Sequence, residues 1–72
     1  MPLAMMNVGE KARVTAVMGG DSVKKHLGSL GFVPGVMVSV VQVMNGSMIL
    51  GVQESRIAVN EDLARRIIVE AA

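Results

Sequence analysis

Few residues in this sequence could do chemistry. There is one histidine, His26, and six carboxylates stand at Glu10, Asp21, Glu54, Glu61, Asp62 and Glu70. A transition-metal site built without cysteine needs imidazole and carboxylate groups converging on one point. Here the carboxylates are scattered along the chain, and His26 follows Lys24 and Lys25, whose charges disfavour a cation beside it. No metal site and no cofactor is expected, and any transition-metal binding would be weak. The serines Ser22, Ser29, Ser39, Ser47 and Ser55 have no histidine or paired carboxylate at a recognisable catalytic spacing, so no catalytic residue is identified and the chain reads as a non-enzyme. Gly19 and Gly20 precede a predicted helix but lack the Gly-Lys-Ser or Gly-Lys-Thr of a phosphate-binding loop. The seven methionines suggest a soft-metal surface at first sight. Met18 and Met48 fall in apolar strand patterns, however, and Met1, Met5 and Met6 in an apolar N-terminal segment, which makes core filling the better account of most.

The elements that would position these groups follow from the apolar pattern. Asn7–Glu10 reads as a turn, and the alternation of Ala12, Val14, Ala16 and Met18 with Lys11, Arg13, Thr15 and Val17 predicts a half-buried strand. Gly19 and Gly20 end it, and Asp21 or Ser22 is placed to cap a helix of roughly nine residues. Val23, Leu27 and Leu30 form its apolar stripe, and Gly31 supplies the left-handed residue at its end. In Phe32-Val33-Pro34-Gly35 the proline and glycine suit a type II turn. Val36–Met44 and Ser47–Gln53 flank Asn45-Gly46 as a hairpin. After a turn at Glu54 and Ser55, Arg56–Val59 reads as a strand, Asn60 as the cap of a single helical turn over Glu61–Ala64, and Ile67–Glu70 as a last strand. The expected fold is mainly β: a small, partly open barrel of about five strands, with one short helix after the first and a helical turn before the last.

The 72 residues allow a single domain, 1–72, near the lower limit of unaided folding, where only about 60% of the unfolded surface is buried. Without cysteine, no disulfide supports the core, and 51% of the chain is hydrophobic, with Phe32 the sole aromatic. So much apolar material predicts an exposed apolar patch and hence an association surface. A net charge of +1 argues against nucleic-acid binding. The apolar stretches are too short to span a bilayer, which needs about 20 residues. The N-terminal segment lacks a basic leader, so a cytoplasmic location is expected.

The run Lys25-His26-Leu27-Gly28-Ser29-Leu30-Gly31-Phe32-Val33-Pro34-Gly35 resembles the signature of the ferrous iron transport protein A family, FeoA: a basic pair, leucine, leucine-glycine, then proline-glycine. Gly9 and Glu10, Val38 and Val40, and Ala58, Ala64, Ile67 and Val69 also fall at the family's spacing. Where the family usually carries Gly-Asp-Pro in the central hairpin, this chain has Asn45-Gly46-Ser47-Met48, so hairpin-tip contacts are not carried over. The resemblance implies an SH3-like barrel in the cytosol. Its implied partner is the FeoB-type ferrous iron permease, docked through the permease's cytosolic region, with an effect on GTPase activity or assembly. A detached SH3-like module acting on an iron-dependent transcriptional repressor is the alternative.

With that resemblance, Lys24, Lys25 and His26, together with Leu30, Gly31, Phe32, Pro34 and Gly35, become the expected partner-binding surface, its charges steering docking onto an acidic patch. On the second strand, Val36, Val38 and Val40 share one face and Met37, Val41 and Val43 the other, both largely apolar. One of those faces must meet the helix, a second copy of the chain or the permease, and Met37, Val41 and Val43 are the candidate self-association residues if a homodimer forms.

Overall fold

The computed structural model describes residues 1–72. Its elements are a 3-10 turn at Leu3–Met5, β1 (Lys11–Val17), α1 (Asp21–Ser29), β2 (Met37–Met44), β3 (Ser47–Val52), β4 (Ser55–Asn60), α2 (Glu61–Arg66) and β5 (Ile67–Ala71). The strands form one antiparallel sheet in the order β4-β3-β2-β1-β5. It curls but does not close, since β4 and β5 do not pair. The expected mainly-β, partly open architecture is what the chain forms.

Two bulges bend the sheet. The register of β1 against β5 slips between Val14 and Ala16, and that of β2 against β3 slips between Val40 and Gln42. Each inserts one residue, Thr15 and Val41, which raises the local twist and wraps the sheet around its inner face. All fifteen buried residues are apolar and form one cluster, among them Val14, Leu27, Phe32, Leu50, Ile67 and Val69. The core takes two residues from the N-terminal segment as well, Leu3 and Met6, at 0% and 4% exposure.

The glycines foreseen in turns do what those turns require. Gly31 (φ +101°) ends α1: its N–H donates to the Gly28 carbonyl at 3.0 Å and the Phe32 N–H to that of Leu27 at 3.0 Å, the paired bonds of a Schellman motif. Gly35 (φ +96°) completes the type II turn, closed by Val36 N–H to the Val33 carbonyl at 3.2 Å. Asn60 caps α2, its Oδ1 accepting from the Leu63 N–H at 2.9 Å.

Several details differ from the sequence expectation. Neither Asp21 nor Ser22 caps α1; the N-cap is Gly20 and no side chain bonds there, because Asp21 is already the first helical residue. Met18 lies beyond β1 and is 56% exposed, the strand having ended at Val17. β2 begins at Met37, since Val36 still belongs to the turn, and the β3–β4 turn is Gln53-Glu54, with Gln53 left-handed at φ +56°. α2 runs six residues instead of one turn. The bulge at Val41 also breaks the alternation on β2: Val43 pairs with buried Met48, whereas Ser39 and Val41 lie over Gly51 on the opposite face. Met37, Val41 and Val43 thus do not share a face.

Phe32, 1% exposed, packs at the junction of α1, the turn and the sheet. Phe32→Ala is expected to cost about 3–5 kcal/mol, a large fraction of the roughly 4–11 kcal/mol available to a chain this size. Urea unfolding followed by far-UV circular dichroism checks this.

Candidate functional site

α1 is held to the sheet by one buried side chain, Leu27, with Val23 and Leu30 half-buried beside it. The rest of the helix faces outward, so Lys24, Lys25 and His26 are all exposed. Both ion pairs in the molecule belong to Arg65, with Glu61 at 2.8 Å and Asp62 at 3.6 Å. Lys24 and Lys25 have no such partner, and their charge is presented to solvent.

Between this helix, β1 and the Pro34 turn runs a groove of about 320 Å³, lined by Thr15, Ala16, Val17, Lys24, Gly28, Phe32, Val33 and Pro34. The main chain fixes one end of it. The Val14 N–H donates to the Val36 carbonyl at 2.9 Å and the Val14 carbonyl accepts from the Gly35 N–H at 2.7 Å, so the turn is stitched directly to β1. Of the residues expected from sequence, Lys24, Phe32 and Pro34 line the groove. Lys25, His26 and Gly35 are exposed outside it, and Leu30 and Gly31 are half-buried behind the turn. Phe32 contributes as a floor, not as an exposed contact.

The β1 residues Thr15–Val17 were not among the expected contacts, whereas Val33, which also lines the groove, belongs to the expected Phe32–Gly35 turn. Val33 is 45% exposed and carries an apolar side chain next to Pro34, a signal that was visible. Thr15–Val17 gave none, since their role comes from which strand lies beside them.

The other expected surface divides. Met37 lines a concavity of about 380 Å³ with Lys11, Ser39, Gly51 and Gln53. Val43 lines another, of about 170 Å³, with Ala4, Gly46 and Glu61. The groups of catalytic type do not assemble: the Ser29 hydroxyl donates to the main-chain carbonyl of His26 at 2.6 Å, a helix-end contact that leaves the imidazole out. No three His, Asp or Glu side chains come together as a metal cradle. No helix is long and apolar enough to cross a membrane. The arrangement is that of a shallow apolar groove with a cationic rim.

The FeoA domain model matches residues 1–71. An Fe(2+) transport protein A of Methanocaldococcus jannaschii is 34% identical over 71 residues, covering 99% of this chain and 87% of that one. Among solved structures, the crystal structure of an iron uptake regulatory protein, FeoA, superposes with a TM-score of 0.94 at 30% identity, covering 100% of this chain and 97% of the other. The FeoA of Stenotrophomonas maltophilia complexed with zinc, described as a procaryotic SH3 domain protein, gives a TM-score of 0.85 at 28% identity, over 97% and 89% of the two chains.

Two glycines at this site should respond oppositely to the same methyl group. A Cβ on either Gly28 or Gly35 meets nothing within 4 Å, but only Gly35 has a positive φ. Gly35→Ala is expected to lose about 1–2 kcal/mol from the left-handed backbone, and Gly28→Ala to gain up to about 1 kcal/mol from reduced unfolded-state freedom. Thermal melts of the two variants give both signs.

Proposed function

Since the chain belongs to the FeoA domain family, we propose that it is a cytosolic accessory of ferrous iron uptake that docks by protein–protein contact onto the cytosolic region of a FeoB-type permease. The observation that carries this reading is the α1 surface: two unpaired lysines beside an apolar groove walled by the proline-glycine turn. Such a surface suits recognition. The cations steer an acidic partner into register, and the apolar groove supplies the contact area. Ferrous iron is then the cargo of the partner, and the docked domain needs no ligand set of its own.

The effect on transport follows from mass action. A domain that binds one conformation of the permease more tightly shifts the population toward it by its differential affinity alone, changing GTPase rate or assembly without chemistry of its own. GTP hydrolysis stays with the permease in this reading.

Titrating the purified protein against the permease's cytosolic region tests the proposal, with saturable binding at tens of micromolar or tighter as the expected result. Absence of binding in that range sinks it. Lys24→Glu with Lys25→Glu is expected to weaken binding by up to about thirtyfold, two exposed pairs at up to about 1 kcal/mol each, and to flatten its salt dependence. The variant's melting temperature should hardly move, because neither lysine makes an ion pair within the fold.

A further inference from the structure

The groove contains an unused length of sheet edge. β2 pairs with β1 only at Lys11, Ala12 and Arg13, and the proline-glycine turn takes Val14. Beyond Val14 the strand has β5 on one side and no strand on the other. Thr15 is the bulged residue, outside the β5 register, and its hydroxyl donates to the Ile68 carbonyl at 3.2 Å. Main-chain groups alternate sides along a strand, and the Met18 N–H turns to the β5 side, to the Arg66 carbonyl at 2.6 Å, so within Thr15–Val17 it is Val17 whose N–H and carbonyl turn to the open side, the chemistry that an added strand satisfies.

We propose that the groove takes an extended segment of the partner protein as an added strand along Thr15–Val17, with a carboxylate set against Lys24 and apolar side chains against Phe32 and Val33. This rests on the docking reading and specifies how the partner is held. Three observations select this edge and this occupant. The outer edge of β5 is already covered, since Met1 and Val69 exchange main-chain bonds at 2.8 and 2.7 Å and Pro2 bridges Ile68. The outer edge of β4 is open, but no β4 residue lines a concavity, so it has no pockets to read side chains. Lys24 is the single charged residue lining the groove and has no ion-pair partner, which calls for an acidic strand. A second copy of this chain fits poorly by the same criterion: its open strand, Ser55–Asn60, carries Arg56 and no carboxylate.

The groove's wall at Gly28 provides a test that leaves the fold intact. A Cβ there meets nothing within 4 Å and Gly28 lines the groove, so the side chain of Gly28→Leu starts in open space at the groove wall. Peptides of about twelve residues tiling the cytosolic segments of the permease are titrated into 15N-labelled protein, alongside the intact cytosolic region. The expected result is that at least one acidic, apolar peptide binds and slows hydrogen exchange of amides within Thr15–Val17. N-methylation of that peptide's backbone at the strand positions, and Gly28→Leu in the protein, should each weaken binding by about tenfold or more. Lys24→Gln should weaken it by about two- to fivefold.

Binding by the intact region with Thr15–Val17 exchange unchanged, or undiminished by Gly28→Leu, overturns strand addition while leaving the docking reading in place. Failure of both the intact region and the peptides overturns the two together. Protection of Thr15–Val17 that rises with protein concentration alone, with a dimer mass by sedimentation, assigns the edge to a second copy and overturns the partner strand.

Discussion

The two main-chain hydrogen bonds at Val14, to Val36 at 2.9 Å and from Gly35 at 2.7 Å, tie the end of the molecule that carries the groove to its sheet. α1 and the turn after it are an excursion between β1 and β2, and only Leu27 of the helix is fully buried. A helix of nine residues would not hold its shape alone, because nucleation costs more than so few bonds return. It persists because both ends of the excursion are fixed: one is the continuous chain from β1, and the other is the turn hydrogen-bonded back onto the same strand. The groove is the space this closed excursion leaves beside β1.

That arrangement depends on glycine at two places and on the aromatic at a third. Gly31 lets the chain leave α1 in a left-handed step that delivers Phe32 into the core, and Gly35 lets it reverse before β2. Phe32 is at once a core residue and the groove floor, so the shape of the groove and the stability of the fold are coupled there and cannot be tuned separately. Lys24 and Lys25 are in the opposite position. They are outside the core and free of ion pairs, and their charge can be set by what binds rather than by what folds.

Much of this was legible in the sequence, for reasons that differ by element. The hairpin at Asn45-Gly46, the cap at Asn60 and the left-handed steps at Gly31 and Gly35 are local devices written in one to four residues, and each formed as expected. The exposed cations of α1 followed from its apolar stripe. The bulges did not show, because Thr15 and Val41 are β-branched residues as suited to a regular strand as to a bulge, and the slip at Val41 separated Val43 from Met37. The N-terminal contribution to the core was equally hidden: six nearly uniform apolar residues carry no period, so Leu3 and Met6 could not be told from exposed Met1 and Met5. Thr15–Val17 escaped notice because an edge is a property of topology. It exists where β2 stops pairing, which no residue of β1 records.

The groove's construction bears on how such a site can regulate. Its floor is a packed aromatic, its far wall a turn with both conformational extremes set by proline and glycine, and its near wall a strand already paired on one side. A site so preorganised has little freedom to lose on binding, so the ordering cost falls on the incoming segment. Contacts along a short edge and a single charged rim residue favour selectivity and fast exchange over high affinity. On the proposed docking, such a domain would read the conformation of a partner segment, binding it when it is extended and accessible and not otherwise. That conformational difference, and not any reactive group on the domain, is the quantity through which it can bias a larger machine.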